Sequence, residues 1–254
     1  MIDALIGHTG FVGGTILRER SFDACYRSTD IHEIRGRQFG MVVCCGAPAE
    51  KWRANGDPEE DRARLATLTD ALEEVKADRF VLISTVDVYA EPRDVDEHTV
   101  IDPHAGQPYG RHRFALEEFC RERFGATVVR LPGLYGRGLK KNPIFDLLHD
   151  RSVDRIPGNG RFQFYDVERV WRDVSRILDA GVTAVNITAE PVMMAEVAAQ
   201  MFGRELPLAW SDMAPCYDVR SVHHGLAGGR DGYWFDARAV IDGIRAFVAN
   251  ERSP

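Results

Sequence analysis

The first fourteen residues constrain the fold of this chain more than any other segment. Apolar residues at 4–6 predict a short buried strand, and an apolar pattern that starts at Ile16 predicts a helix. Between them lie Gly7, Gly10 and Gly13, spaced as Gly-x-x-Gly-x-x-Gly. Glycines at such positions allow a tight turn, a close approach of phosphates to the backbone and close packing of helix against strand. Because the free N–H groups of a helix N-terminus bind anions, the segment predicts a dinucleotide pyrophosphate site.

The composition is that of an ordinary globular protein. The 254 residues are 44% hydrophobic and 28% charged, which suits one large domain or one and a half. The net charge of −7 argues against nucleic acid as a partner, because proteins that bind it are normally basic. No apolar run approaches the roughly 20 residues that span a bilayer, and because the first residues already predict a strand we expect no signal peptide. We therefore expect a cytoplasmic protein that binds neither membrane nor nucleic acid.

The cysteines and histidines give no indication of a metal site. The eight histidines form no paired-ligand pattern, and the five cysteines lack the spacing of metal ligands. We therefore expect no metal, and reduced thiols at the five cysteine positions, namely Cys25, Cys44, Cys45, Cys120 and Cys216.

Strands and helices alternate along the rest of the chain. Strands are predicted at 22–26, 39–45, 79–84, 126–131 and 184–188, and helices at 58–75, 109–123, 193–202 and 237–250. The first of these helices has clear start signals, with Asp57 as N-cap, Pro58 at the first position and Glu60 completing a capping box. Two segments, 132–161 and 207–231, are predicted to be irregular. The alternation predicts an α/β fold, a Rossmann-like doubly wound parallel sheet covered by helices.

Three later segments carry residues typical of catalysis. The strand at 79–84 leads into Ser-Thr-Val-Asp-Val-Tyr at 84–89, a helix begins with Tyr-Gly-Arg-His-Arg at 109–113, and Arg-Leu-Pro-Gly-Leu-Tyr-Gly follows at 130–136. With the opening glycines, and in this order, these motifs resemble the extended short-chain dehydrogenase/reductases, the NAD-dependent epimerase/dehydratase group. The resemblance covers nearly the whole chain.

The resemblance implies roles for three residues. Thr85 matches the Ser/Thr that hydrogen-bonds the reacting oxygen, and Tyr109 matches the tyrosine acid/base. Arg113 stands where the family usually has lysine, and positions i and i+4 lie on one helix face, so a cation sits beside the phenol. A cation at about 4 Å in an effective dielectric near 20 supplies about 4 kcal/mol, enough to lower a tyrosine pKa by about 3 units. Arginine keeps this charge, but its planar fork changes the geometry.

Two further departures concern the reaction and the substrate. Asp87 occupies the place of a glutamate that acts as base in members that eliminate water, so it is either a base or a turn cap. Gly133 stands where members that hold nucleotide-diphosphate sugars usually have asparagine, and Phe162 where they usually have arginine. The segment 137–142 contains Arg137, Lys140, Lys141 and Asn142, which either attract an anion or form a solvated loop.

The cofactor is expected to be NADP or NAD. Arg27 and Ser28 suit the 2′-phosphate of NADP, whereas Asp30 suits the free ribose hydroxyl of NAD; the sequence leaves the choice open and slightly favours NADP. The complete set of residues expected at the cofactor is Gly7, Thr9, Gly10, Phe11, Val12, Gly13, Arg27, Ser28, Gly46 and Ala47.

The resemblance also implies a division into domains. Residues 1–131 are expected to form the dinucleotide-binding core. Residues 132–254 would complete the sheet over about 164–188 and form a small substrate-binding lobe from about 132–163 and 189–235.

The function implied is that of an NAD(P)-dependent oxidoreductase or epimerase. Its small-molecule substrate would be a carbinol or ketone of a sugar or sugar-nucleotide-like metabolite. Two alternatives stay open: a cofactor-binding protein with little redox turnover, and a sugar dehydratase that uses Asp87. Relatives often pair through the helices that match 58–75 and 109–123, so a homodimer is also expected.

Overall fold

The computed structural model describes residues 1–209 and 214–252, so the predicted irregular segment 207–231 lies partly outside the described residues. Its helices are α1 (Phe11–Glu19), α2 (Lys51–Gly56), α3 (Pro58–Leu72), α4 (Pro108–Phe124), α5 (Pro143–Leu148), α6 (Val170–Asp179), α7 (Met194–Phe202) and α8 (Ala237–Arg252). Its strands are β1 (Asp3–Ile6), β2 (Ala24–Tyr26), β3 (Gln38–Cys44), β4 (Lys76–Thr85), β5 (Arg93–Val95), β6 (Thr127–Leu131), β7 (Gly133–Tyr135), β8 (Arg161–Phe162), β9 (Phe164–Asp166), β10 (Ala184–Asn186), β11 (Val192–Met193) and β12 (Asp218–Val219).

A six-stranded parallel sheet in the order β10-β6-β4-β3-β1-β2 confirms the predicted fold class. The order reverses beside β1, because β2 lies on one side of it and β3 on the other. The connection from β2 to β3 spans only residues 27–37 and contains a single 3-10 turn, Ile31–Ile34, which leaves no room for a further strand. Ligands of doubly wound sheets bind where the strand order reverses, so the ends of β1 and β3 are the expected binding edge.

The chain forms two compact units, each with its own core. The first contains residues 1–91, 99–130 and 170–185. Its strands are apolar runs, as expected for a parallel sheet covered on both faces, and residues 41–44 of β3 are all buried. Apolar side chains of α3 and α4, among them Leu68 and Leu116, complete this core.

The second unit contains residues 92–98, 131–169 and 186–254. Within it β7 pairs with β9 and β12 with β5 in parallel, while β11 pairs with β8 in antiparallel fashion. Its core gathers apolar side chains from α5, α7 and α8, for example Ile144, Val197 and Ile244.

The start of α3 confirms one half of the predicted capping box and contradicts the other. The Asp57 carboxylate accepts the backbone N–H of Glu60 at 3.0 Å, as predicted. The predicted reciprocal bond from the Asp57 N–H to the Glu60 side chain does not form, because this N–H donates to the Arg53 carbonyl oxygen at 2.8 Å. The Glu60 carboxylate instead accepts bonds from Arg53 and Arg64. The Asp57 N–H is bound in this way because α2, a short helix that the sequence pattern did not predict, ends directly before α3.

The prediction of an irregular segment at 132–161 was also wrong in part. This stretch contains β7, α5 and a 3-10 turn at Val153–Arg155. The Asn142 side chain caps α5 by accepting the Phe145 N–H at 2.9 Å, and Pro143 takes the first helical position. Predicted ends elsewhere are confirmed: Gly203 ends α7 in a left-handed conformation, and Asp236 accepts the Ala239 N–H at the start of α8.

Candidate active site

The glycine turn after β1 is shaped so that side chains are excluded from it. Gly7 has a φ of +83°, and a Cβ there would overlap the carbonyl oxygen of Cys45 at the end of β3. A Cβ at Gly13 would overlap the carbonyl oxygen of Gly7, so α1 can lie against the turn only with glycine at this position. The Gly7 N–H donates to the Tyr26 carbonyl oxygen at 2.7 Å, which ties the turn to β2. The turn therefore sits between the ends of β2 and β3, at the predicted binding edge.

The start of α1 is open to an anion. Gly10 is the N-cap and has no side chain to cap the first N–H groups, and Thr9 and Gly10 are exposed while Phe11 and Val12 are half-buried. The helix dipole adds partial positive charge at this end. Gly46 and Ala47 follow β3, and a Cβ at Gly46 would stand 2.9 Å from Ile6 Cγ2. The bare backbone at Gly7, Gly13 and Gly46 and the uncapped helix end fit the pyrophosphate of a dinucleotide.

The segment after β2 arranges the residues that bear on cofactor choice. Arg27 and Ser28 are exposed directly after the strand. The Asp30 carboxylate accepts the backbone N–H of Arg27 at 2.6 Å, and it lies 3.4 Å from the Arg27 side-chain Nε. These contacts with Arg27 hold the pKa of Asp30 below its usual value. Asp30 thus supports the turn that presents Arg27.

Thr85 and Tyr109, 24 residues apart in sequence, come together in the first unit. Thr85 ends β4, and Tyr109 lies in the first turn of α4 with 7% of its surface exposed. Burial raises the pKa of Tyr109, and the Asp87 carboxylate adds to this rise. The charges of Arg113 and Lys51 and a hydrogen bond with Thr85 oppose the rise without cancelling it. The phenol therefore stays protonated near neutral pH and is suited to donate a proton to an oxygen.

Gly110 explains how α4 reaches Thr85. A Cβ at Gly110 would overlap the carbonyl oxygen of Asp87, so only glycine lets the helix start lie against the 3-10 turn Val86–Val88. The Thr85 hydroxyl accepts the Asp87 N–H at 3.1 Å and caps that turn. The Asp87 carboxylate pairs with Lys51 Nζ at 2.7 Å. The sequence alternatives for Asp87, a base or a cap, did not include this pairing.

A buried ion pair fixes the elements on either side of Thr85. The Glu117 carboxylate of α4 pairs with Arg130 of β6, with Nη2 and Oε2 2.7 Å apart, and it accepts the Ser84 hydroxyl at 2.6 Å. Arg130 also donates to the Tyr89 hydroxyl at 2.8 Å. Arg130 of the third sequence motif thus ties β4, α4 and β6 together behind the site.

Arg113 lies beside Tyr109, and other groups bind its two Nη atoms, whereas its buried Nε has no hydrogen-bond partner among the residues that the structure describes. Its side chain is 2% exposed; one Nη pairs with the Asp61 carboxylate and the other donates to the Pro48 carbonyl oxygen. His112 Nδ1 lies 2.7 Å from the same carboxylate. Burial opposes ionisation of Asp61, but the hydrogen bonds and charges of Arg113 and His112 outweigh it, so the pKa of Asp61 is lowered.

Asp61 and Lys51 are the site residues that sequence reasoning missed. Asp61 gave a detectable signal, because it continues the buried stripe of α3 formed by Leu65, Leu68 and Leu72. A carboxylate on an apolar stripe indicates a buried cationic partner. Lys51 gave none, since α2 is short and its polar residues resemble those of a loop.

The residues expected near the substrate lie in the second unit. A Cβ at Gly133 would stand 3.0 Å from both the Gln163 carbonyl oxygen and the Phe164 ring, so a side chain there would require its neighbours to move by a few tenths of an ångström. Phe162 packs in an aromatic cluster, 5.9 Å from Phe164 and 6.0 Å from Tyr217 between centroids. Asn142 caps α5, whereas the three cations of segment 137–142, namely Arg137, Lys140 and Lys141, are exposed.

Comparison with known families decides the classification. A family model described as the NAD dependent epimerase/dehydratase family matches residues 21–180, more than half of the chain. The chain belongs to this family. Its members are NAD(P)-dependent enzymes, so the protein is an enzyme with a nicotinamide cofactor. A search of curated proteins finds no match.

Solved structures share the fold of this family member at low sequence identity. The dTDP-4-dehydrorhamnose reductase of Clostridium acetobutylicum has a TM-score of 0.76 at 14% identity, covering 100% of both chains. The UDP-glucose 4-epimerase of Thermotoga maritima, solved with UDP-glucose, has a TM-score of 0.73 at 14% identity over 99% of both chains. RMD of Pseudomonas aeruginosa, solved with NADPH, has a TM-score of 0.73 at 18% identity over 100% of both chains.

The family member shows neither a membrane span nor a metal cluster in its described part. Across residues 1–209 and 214–252, no helix combines the length and the apolar character that crossing a membrane requires. In the same residues no three His, Cys, Asp or Glu side chains are grouped so that they would hold a metal ion. The cysteines are free thiols, and Cys44 and Cys120 are buried.

Proposed function

We propose that the protein moves a hydride between NADP or NAD and a carbinol or ketone of a sugar or sugar nucleotide, with Tyr109 as the acid/base. The observation that carries this proposal is the contact of Thr85 with the buried Tyr109 phenol in the same unit as the glycine turn. Two hydroxyl groups at the end of β4 and the start of α4 can hold one substrate oxygen between them.

The chemistry follows from the protonation state of Tyr109. Its raised pKa keeps the phenol protonated near neutral pH, so in reduction it gives its proton to the carbonyl oxygen while Thr85 holds that oxygen in place. The nicotinamide, when bound, supplies the hydride to the carbonyl carbon or accepts it in the reverse direction. The tyrosinate that remains is stabilised by the positive charges of Arg113 and Lys51, and it regains its proton from solvent.

A sugar-nucleotide substrate is supported by two observations. The similar structures include a dTDP-4-dehydrorhamnose reductase and an epimerase bound to UDP-glucose, both of which handle nucleotide sugars. The exposed cations Arg137, Lys140 and Lys141 suit a diphosphate. Gly133 has no side chain, so a substrate contact that the usual asparagine makes in other family members must here come from another residue.

NADP is the proposed cofactor. Arg27 and Ser28 directly follow β2 and are exposed, so both can reach a 2′-phosphate, and the Asp30 carboxylate is bound by Arg27. The dehydratase, the homodimer and the cytoplasmic location stay predictions, as does the domain division proposed from the sequence.

The test is turnover of the purified protein with NADPH or NADH and a panel of keto-sugar nucleotides. Tyr109→Phe is expected to lower kcat by about 100-fold or more, because general acid catalysis typically contributes this much. Its affinity for the cofactor, measured by calorimetry, should stay that of the wild type. Equal turnover by the two proteins would exclude the mechanism. Tight cofactor binding without hydride exchange on any substrate would instead support a binding protein with little turnover.

A further inference from the structure

The cation expected to act on the Tyr109 phenol is also bound by two other groups. Arg113 takes the place of the usual lysine, yet one of its Nη atoms pairs with Asp61 and the other donates to the Pro48 carbonyl oxygen. The guanidinium meets Tyr109 at the face of the ring, 4.2 Å from its centroid. With 2% of its side chain exposed, Arg113 is fixed and shielded from solvent.

A second cation, Lys51, also acts on the phenol. Lys51 Nζ is 2.7 Å from the Asp87 carboxylate, and the Lys51 side chain is 43% exposed. Asp87 is itself joined to the site, because its N–H donates to the hydroxyl of Thr85 and Thr85 bonds Tyr109. Contacts therefore run without a break from the exposed Lys51 side chain through Asp87 and Thr85 to the Tyr109 phenol.

The position of Lys51 is set by α2 and not by its own flexible side chain alone. Asn55, four residues after Lys51, accepts the backbone N–H of Tyr109 at 3.0 Å through its side-chain oxygen. Residues four apart lie on one face of a helix, so the face of α2 that holds the start of α4 also presents Lys51 to Asp87. Arg53 on the same helix pairs with Glu60 of α3. These contacts fix α2 against both α3 and α4.

We propose that Lys51, through its ion pair with Asp87, is a positioning residue that helps to set the acid strength of the Tyr109 phenol in this chain, in addition to Arg113. The proposal rests on the proposed role of Tyr109 as acid/base. It gives α2 part of the function that a lysine on α4 has in the usual family motif, while Arg113 both acts on the phenol and holds Asp61.

The charges that face Tyr109 give the proposal a definite sign. Arg113 on its own helix and Lys51 on α2 lower the pKa of Tyr109, the hydrogen bond with Thr85 lowers it too, and Asp87 raises it. Lys51→Met removes a lowering charge and the ion-pair partner of the Asp87 carboxylate, so the phenol should titrate at higher pH. Asp87→Asn removes the raising charge and leaves Lys51, so the phenol should titrate at lower pH. The double variant should return towards the wild type.

The experiment follows Tyr109 ionisation in the protein without substrate. Ring-labelled tyrosine gives an NMR signal for each side chain, Tyr109→Phe identifies the signal of interest, and circular dichroism checks the fold at each pH. We expect the midpoints of Lys51→Met and Asp87→Asn to differ by about one pH unit or more, in opposite directions from the wild type. Lys51→Arg should restore the wild-type midpoint. Arg62→Met, which removes an exposed cation of α3 that pairs with Glu59, should leave it unchanged.

The outcomes separate this proposal from the proposed function. If Tyr109 titrates no earlier in Asp87→Asn than in Lys51→Met, Lys51 does not set the acidity of the phenol and the proposal is wrong. If the titration behaves as expected but Tyr109→Phe turns over substrate like the wild type, the charge arrangement is right and the acid/base role is wrong. Where turnover is measurable, the alkaline limb of kcat/KM should move in the same two directions as the midpoints.

Discussion

The guanidinium of Arg113 lies over the ring of Tyr109, with 4.2 Å between its Cζ atom and the ring centroid. The two residues are four apart on α4, so the helix itself imposes this contact. Asp61 on α3 pairs with the same guanidinium and is only 5% exposed. A cation–π contact and a buried ion pair thus share one side chain, which gives Arg113 a structural role that a lysine could not copy.

Removal of Arg113 should destabilise the fold strongly. Arg113→Met leaves the Asp61 carboxylate buried without its main partner, and breaking a buried pair in this way costs about 3–5 kcal/mol. We expect a loss of this size in the free energy of unfolding measured with urea. Arg113→Lys should recover only part of it, because one ammonium cannot replace two separate Nη contacts.

A matched control for this prediction lies on α3. Arg62 is 64% exposed and lies 3.5 Å from Glu59, so Arg62→Met should change the free energy of unfolding by less than about 0.5 kcal/mol. Combining Arg113→Met with Asp61→Asn should cost less than the sum of the two single changes, because both remove one interaction. A cost below about 1 kcal/mol for Arg113→Met alone would contradict the buried pair.

The ion pair also predicts how stability depends on pH. The folded-state pKa of Asp61 is lowered, and in the unfolded chain an aspartate has a pKa of about 3.9. The stabilisation is therefore complete above about pH 4 and is lost as the pH falls through the folded-state value. We expect the stability gap between wild type and Asp61→Asn to stay constant above about pH 5 and to shrink as the pH falls below about 4. Urea unfolding at fixed ionic strength measures it, and a constant gap would argue against the ion pair.

The glycine turn predicts a loss of cofactor binding on adding one methyl group. In Gly13→Ala the new Cβ would overlap the Gly7 carbonyl oxygen, so α1 must move away from the turn and its N–H groups from the pyrophosphate. We expect the Kd for NADPH, measured by fluorescence titration, to rise about tenfold or more, equivalent to about 1.4 kcal/mol. Gly225→Ala is the control, because a Cβ there meets nothing within 4 Å. Unchanged binding in Gly13→Ala would show that the turn is not the cofactor site.

The parts of the fold and site that follow from local chemistry were predictable. The apolar runs of the strands, the Asp57 cap of α3 and the glycine end of α7 each depend on residues a few positions apart. The approach of Thr85 and Tyr109 was predictable only through the family resemblance. The contacts of Lys51 with Asp87 and of Asp61 with Arg113 join residues 36 and 52 apart in sequence. No local periodicity encodes such pairs, since they depend on how α2 and α3 pack against α4.

The strand order illustrates the same limit at the level of the sheet. The alternation of strands and helices predicts parallel strands, but it does not say on which side of β1 each strand lies. The short connection at 27–37 is visible in the sequence, yet its consequence appears only in the sheet, where β3 follows β2 without an intervening strand and pairs directly with β1. Likewise, the tight contacts that a side chain at Gly133 would make with Gln163 and Phe164 are visible only in the structure.

The last prediction concerns the choice of cofactor. Arg27 is exposed after β2 and is oriented by Asp30, so in the proposed function its guanidinium binds the 2′-phosphate that distinguishes NADPH from NADH. Arg27→Ala should raise the Kd for NADPH about tenfold while leaving the Kd for NADH nearly unchanged. Arg18→Ala, on the exposed face of α1, controls for the general loss of positive charge, and its effect should be small and equal for both cofactors. If Arg27→Ala raises the Kd of both cofactors equally, or of neither, Arg27 does not select NADP. Asp30, which suits the free ribose hydroxyl of NAD, would then be the next residue to test.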